Sequence, residues 1–198
     1  MNIKAIYSRR SIRKYKDFEI PIDIISEILD AGRVAPSGKN RQPWKFIVFG
    51  GSGKKGLLEK MDSGIERELN KKAFLPNSRD GIKDAKNTLR IMKEAPIIIM
   101  VLNTNGKSPF ESITANERFT EIVDTLSIGA AIQNMLLQAE ELGRGTLWIA
   151  NTCFAYNELV TYIDTNKQLV GAIALGYPNE NPNPRPRKSL DNIAEYRF

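Results

Sequence analysis

The chain predicts a single domain of mixed helix and strand, and three observations predict it. Apolar residues recur at helical spacing in several stretches, short β-branched or aromatic runs of strand length stand between them, and no repeat or linker divides the 198 residues. With 41% hydrophobic and 26% charged residues, the composition is that of a globular protein with enough apolar material for a sizeable core. Basic residues outnumber acidic ones by 29 to 23, and the resulting charge of +6 favours anionic ligands without bearing on the fold.

Asn2 to Ser8 reads as a short helix with Ile3 and Ile6 on one face, leading into the basic run Ser8 to Tyr15. Pro21 opens a second helix, marked by Ile22, Ile25, Ile28 and Leu29 and ending near Gly32. Ala35 to Trp44 is dense in turn formers and amides, hence a loop. Lys45 to Phe49 is a strand closed by Gly50-Gly51-Ser52-Gly53. That glycine cluster is not a phosphate-binding P-loop, because Val48 stands where the first glycine belongs and Lys55 where the hydroxyl belongs. Leu57 to Leu69 and Ile82 to Met92 carry two further helical stripes, the second capped by Asn77 or Ser78 and stopped at Ala95-Pro96.

Ile97 to Leu102 is an uninterrupted apolar strand. Asn103 to Asn116 is polar and longer than a plain connection requires, which suits a functional or mobile loop. From about Arg118 to Leu142 runs a helix apolar around much of its circumference, with Gly129, Ala130 and Ala131 at its middle. Such a helix is covered on most sides, either as a central core helix or at a dimer interface. Gly143 ends it, Thr146 to Ile149 is a strand, Tyr156 to Ile163 a short helix and Gln168 to Leu175 the last strand. The four prolines between Tyr177 and Lys188 make the end of the chain extended.

The chain contains no histidine and one cysteine, Cys153. Ser-His and Cys-His nucleophiles, imidazole-bound zinc and an all-thiolate metal site are thereby excluded, so any redox chemistry falls to a cofactor. Cys153 reads as a small structural hydrophobe. A lone cysteine with no disulfide partner, and an N-terminus lacking a signal-peptide apolar core, are the expectation for a cytoplasmic protein; no apolar run reaches the length of a membrane span.

Three segments compete as anion binders: Ser8 to Tyr15, the Ser37 to Gln42 loop and Arg185 to Lys188. Arginine forks match phosphate oxygens in pairs, and serine hydroxyls supply further donors. Each segment taken alone is equally readable as solvated surface or turn. A basic nucleic-acid-binding module would use the same cations, but no helix-turn-helix, zinc-finger or RRM signature is present, and neither nucleic acid nor membrane is the expected partner.

In order along the chain, the blocks Arg9-Arg10-Ser11-x-Arg13-x-Tyr15, Ala35-Pro36-Ser37-Gly38-x-Asn40-x-Gln42-Pro43-Trp44, the long helix with Asp124, Ala130, Gln133, Asn134 and Leu136, Gly143-x-Gly145-Thr146-x-Trp148-Ile149, and Gly171 to Pro178 followed by Pro184-Arg185-Pro186-Arg187-Lys188 resemble the FMN-dependent nitroreductase family. The resemblance spans nearly the whole chain. It implies an α+β fold in residues 1–198, with a mostly antiparallel central sheet flanked by helices, assembled as an intertwined homodimer with FMN at the interface. It also implies that Arg9, Arg10, Ser11 and Arg13 bind the flavin phosphate and ring, joined by Arg187 with Arg185 or Lys188. Pro36, Ser37, Gly38, Asn40 and Gln42 approach the flavin from the partner subunit. Leu147, Trp148 and Ile149 lie along one flavin edge, largely through backbone groups.

The implied activity is hydride transfer from NAD(P)H to flavin N5 and then to a small-molecule electron acceptor such as a nitroaromatic or quinone, with no catalytic side chain required. Dehalogenation, flavin reduction or a non-catalytic flavin-binding role are the alternatives within the fold. Two departures mark the chain. Gly143-Arg144-Gly145 stands where some members have Gly-Leu-Gly, and Ala150-Asn151 follows the Trp-Ile step where they carry an acidic residue. Asn116 is the candidate for the family's mid-chain amide contact.

Overall fold

Four strands order the molecule, and each can be traced to its apolar run. The computed structural model describes residues 3–70 and 73–198, so Asn2 of the first expected helix lies outside the described residues. Strands β1 (Trp44–Gly50), β2 (Ile97–Asn103), β3 (Gly145–Ile149) and β4 (Gln168–Gly176) form one sheet in the order β1-β2-β4-β3. Every pairing between them is antiparallel. Among the described residues, six α-helices accompany the sheet: α1 (Lys4–Ser8), α2 (Ile22–Arg33), α3 (Gly53–Leu69), α4 (Ile82–Glu94), α5 (Ala115–Glu141) and α6 (Tyr156–Ile163). The fold is α+β with an antiparallel sheet, as the resemblance implied.

Alternation along β2 explains the layering. Ile98, Met100 and Leu102 face one core, with Leu57, Met61, Ile65 and Met92 of α3 and α4. Ile97, Ile99 and Val101 face a second, with Ile25 and Ile28 of α2 and Ile128, Ile132 and Met135 of α5. Because both faces are covered, β2 reads in sequence as an unbroken apolar run instead of an alternating one. Burying a side chain the size of Ile98 or Leu102 contributes roughly 1.5–3 kcal/mol, so these two layers supply the main driving force.

Two helices begin at other places than periodicity indicates. α4 starts at Ile82, and Asn77 and Ser78 belong to a preceding 3₁₀ segment (Pro76–Gly81) instead of capping it. α5 starts at Ala115, three residues before the first apolar-periodic turn, because Thr114 and Glu117 close a capping box. The Thr114 Oγ1 accepts from the Glu117 N–H at 3.2 Å, and Glu117 Oε2 accepts from the Thr114 N–H at 2.8 Å. Its other oxygen, Oε1, is 2.7 Å from Lys107 Nζ. That ammonium, followed by the Thr114 donors, holds the Glu117 carboxyl down at about 2.

Thr114→Ala is expected to lower stability by about 1 kcal/mol in denaturant titration. Since the folded Glu117 carboxyl titrates below its ordinary 4.5, the cap is intact above that pH and lost as pH falls towards about 2. The protection factor of the Thr114 amide, whose N–H the Glu117 carboxylate accepts, should therefore fall across that window, and an unchanged protection factor would contradict the cap.

Candidate functional site

The outer edge of β3 is where the N-terminal basic run docks. The Ile12 N–H donates to the Thr146 carbonyl at 2.9 Å, and Ser11 pairs with Thr146 in a parallel bridge. Two further main-chain bonds, Lys16 N–H to Tyr177 O and Asn179 N–H to Lys14 O, both 2.9 Å, stitch the run to the chain leaving β4. Ile12 and Tyr15 point inward and are buried, while Arg9, Arg10, Ser11 and Arg13 remain partly open. The Tyr15 hydroxyl donates to Ile12 O at 2.8 Å, and its burial, followed by the nearby Glu180 carboxylate, pushes its pKa up.

Gly145 permits this docking. A Cβ there would lie 2.8 Å from Ile12 Cγ1.

The same run meets the C-terminal extended segment around a cavity of about 330 Å³. Arg9, Arg10, Ser11 and Arg13 line it from one side and Arg185 and Arg187 from the other, with the Pro182-Asn183-Pro184 corner between them. Glu180 binds the Arg13 main-chain N–H and thereby ties the two segments together. Main-chain carbonyls orient the guanidinium groups: Arg10 Nη1 donates to Tyr7 O at 2.7 Å, Arg13 Nη1 to Ser11 O at 3.1 Å and Arg187 Nη1 to Pro186 O at 3.2 Å. Among the described residues, the salt bridges include none of these five arginines. Five converging cations without a carboxylate partner form a site for a multiply charged anion.

Two of the three candidate anion-binding segments are thus brought together, and the third is not. Lys188 lies outside the cavity's lining, and so does the whole loop of residues 36–42. That loop hangs on α5: the Gly38 N–H donates to Ser127 Oγ at 3.2 Å, and the Arg41 Nε donates to Asp124 Oδ1 at 2.8 Å. Ser37 Oγ accepts from the Gln42 N–H at 3.0 Å. Lys39, Asn40 and Gln42 all adopt left-handed backbone, with φ of 54°, 54° and 48°. For L-residues this conformation costs roughly 1–2 kcal/mol each, less for asparagine. Asn40 and Gln42 are exposed, with Gln42 Nε2 donating to Asn40 Oδ1 at 3.2 Å.

On β3, Leu147 and Ile149 point into the core and offer only main chain to any ligand. Trp148 points the other way, 44% exposed, with its ring against Gly129 of α5. Asn116 lines a separate cavity of about 220 Å³ with Asn105, Lys107 and Glu121. Cys153, expected among the structural hydrophobes, is exposed instead, because a 3₁₀ turn (Asn151–Ala155) turns it outward while burying Thr152 and Phe154. Desolvation by its neighbours raises the thiol pKa, the opposite of activation.

Sequence reasoning assigned no role to Arg41, Asp124 or Asn105. Asp124 stood in the sequence only as one residue of the long-helix block, and its full burial is what makes it informative.

Comparison with known proteins places these features. The family model described as "Nitroreductase family" matches residues 6–177. A protein of Methanothermobacter thermautotrophicus, provisionally named an NADH dehydrogenase/NAD(P)H nitroreductase, is 29% identical over 196 residues, covering 96% of this chain and 84% of its own. The iodotyrosine deiodinase of Hydra vulgaris is 29% identical over 201 residues, covering 96% and 70%. In structure, a provisionally named nitroreductase of Desulfovibrio desulfuricans in complex with FMN superposes with a TM-score of 0.70 at 26% identity, covering 99% of this chain and 96% of that one.

Gly145→Ala is expected to destabilise the protein by roughly 1–3 kcal/mol through overpacking against Ile12. Amide exchange at Ile12 should quicken in the same variant, and unchanged protection would show that the basic run docks by other means.

Proposed function

The chain belongs to the nitroreductase family, and from that premise we propose that it is an FMN-dependent oxidoreductase using NAD(P)H to reduce a small electron acceptor such as a nitroaromatic or quinone. One observation carries the reading: five arginines that form no salt bridge among the described residues line a single cavity beside the edge of β3. The donor set fits FMN. A phosphate dianion suits the forks of Arg9, Arg10, Arg13, Arg185 and Arg187 and the Ser11 hydroxyl, with Lys188 adding charge nearby. The flavin supplies, when bound, the redox chemistry: hydride from NAD(P)H is taken at N5 and passed to the acceptor.

This chain's own residues bind, orient and shield. Arg13, whose guanidinium donates to Ser11 O at 3.1 Å, lines the same cavity, and the positive charge it brings near the flavin would favour the reduced, anionic cofactor. The main chain of Leu147, Trp148 and Ile149 offers hydrogen-bonding groups along one edge. Pro36, Ser37, Gly38, Asn40 and Gln42 contribute to the flavin of a partner subunit, which accounts for their separation from the arginine cavity of their own chain.

Homodimerisation is part of the proposal. On α5, Phe119, Ile122 and Leu126 are 71%, 51% and 71% exposed in the single chain, and Leu190, Ile193, Tyr196 and Phe198 of the C-terminal segment are likewise uncovered. Two such apolar surfaces exceed what a monomer ordinarily leaves to water, and a second copy covers both. No helix among the described residues is long and apolar enough to cross a membrane; the lone cysteine supports a cytoplasmic setting.

The purified protein is expected to be yellow, to bleach anaerobically with NADH or NADPH, and to recolour with a nitroaromatic or quinone. Failure of both nicotinamides to bleach bound FMN would overturn the catalytic reading, and recolouring by a halogenated phenol alone would favour dehalogenation. Arg187→Ala should weaken FMN binding roughly 10–100-fold, as expected for losing a charge-assisted hydrogen bond. Leu126→Glu should yield monomers by sedimentation that have lost the flavin; a stable monomer retaining FMN would contradict a shared site.

A further inference from the structure

The loop of residues 37–42 is held in a conformation that burial of its left-handed residues does not explain. Lys39, Asn40 and Gln42 are left-handed and exposed, so their strain relieves no packing and fills no core space. Strain retained in an exposed loop implies an outside purpose, and something rigid must maintain it. That something is α5. Asp124, 0% exposed, accepts from Arg41 Nε at 2.8 Å and lies 2.6 Å from Arg41 Nη2 through the same oxygen. Its second oxygen accepts from Asn105 Nδ2 at 3.0 Å, which leaves neither carboxylate oxygen unpaired. Three residues further along the helix, Ser127 Oγ accepts the Gly38 N–H and donates to Val123 O at 2.8 Å. The loop approaches so closely that a Cβ on Gly38 would lie 2.4 Å from Val123 Cγ1.

A fully buried carboxylate is a costly way to fasten a loop, and a hydrophobic pair would usually be at least as stabilising. What the ion pair adds is direction. Arg41 sits between Asn40 and Gln42, so fixing its guanidinium on Asp124 fixes the main chain on both sides of it.

We infer that Asp124 and Arg41 form a positioning pair, which locks the 37–42 loop so that the Asn40 and Gln42 amides are presented to flavin in a preset geometry. The inference rests on the FMN reading above and adds to it residues that do not themselves touch the cofactor. Preorganisation of this kind acts on affinity and on the flavin's electronic surroundings together, because amides already in place lose little entropy on binding and meet the ring at fixed angles.

The test compares FMN affinity and the potential of bound flavin in the full-length protein, at a temperature where circular dichroism shows every variant folded. Arg41→Gln is expected to weaken FMN binding tenfold or more, equivalent to at least about 1.4 kcal/mol, and to shift the potential in the same direction as Asn40→Ala and Gln42→Ala. Arg41→Lys, which keeps the charge opposite Asp124, should recover most of the affinity. Glu158→Gln, which breaks the remote Arg67–Glu158 pair (2.7 Å), should lower the melting temperature and leave both flavin readouts unchanged. Asp124→Asn serves as the partner variant, and the Arg41 series decides the matter if that protein does not fold. Wild-type affinity and potential in Arg41→Gln, alongside losses in Asn40→Ala and Gln42→Ala, would overturn the pair's role. Silence of Asn40→Ala and Gln42→Ala would remove the loop's contact with flavin and the inference with it. A wild-type protein that takes up no FMN would instead bring down the broader reading.

Discussion

Burial of β2 on both faces is the constraint on which the rest of the structure depends. A strand of seven buried residues, Ile97–Asn103, needs an apolar layer above and below the sheet and hydrogen-bonded neighbours on both sides. β1 and β4 supply the neighbours; α3 and α4 cover one face and α2 and α5 the other. Once those layers are filled, β3 is left as an outer strand whose far edge needs pairing. The N-terminal run provides it through Ile12 and Thr146, so a basic segment is delivered to the sheet margin by the same hydrogen-bonding demand that builds the sheet.

The site follows from that edge. Ile12 and Tyr15 anchor the run inward, while Arg9, Arg10 and Arg13 stay partly open. The chain leaving β4 is bonded to the same run at Tyr177 and Asn179, which places Arg185 and Arg187 opposite Arg9, Arg10 and Arg13. Cations that converge on one cavity repel one another unless an anion lies between them, which is the ground for the FMN phosphate site proposed above. The long helix α5 serves three surfaces at once. Ile128 and Ile132 fill a core, Asp124 and Ser127 hold the strained loop, and Phe119, Ile122 and Leu126 stay exposed.

Much of this was legible in the sequence, for identifiable reasons. The unbroken run at 97–102 could only be a buried strand, and the stripes of α2 and α4 have helical spacing over several turns. The start of α5 was misjudged because Thr114 and Glu117 act through side-chain hydrogen bonds, and these leave no trace in apolar periodicity. Cys153 was misjudged because a single 3₁₀ turn decides which way one residue faces. Resemblance to the nitroreductases supplied the candidate flavin contacts; that Arg9 and Arg187, far apart in the chain, line one cavity is something only the folded chain reveals.

By itself, the sequence determined a single domain of helices and strands, the exclusion of histidine-based nucleophiles and of imidazole or all-thiolate metal sites, and the residue types available for an anion. These depend on composition and on short-range periodicity, which survive without knowledge of distant contacts. Tertiary structure alone decided that the two basic segments converge while the 37–42 loop stays apart, that Asp124 is a buried partner of Arg41, and that three residues of the loop are left-handed. Each of those depends on which remote groups satisfy a hydrogen bond or a charge once water is removed, and pairing of that kind is set by packing.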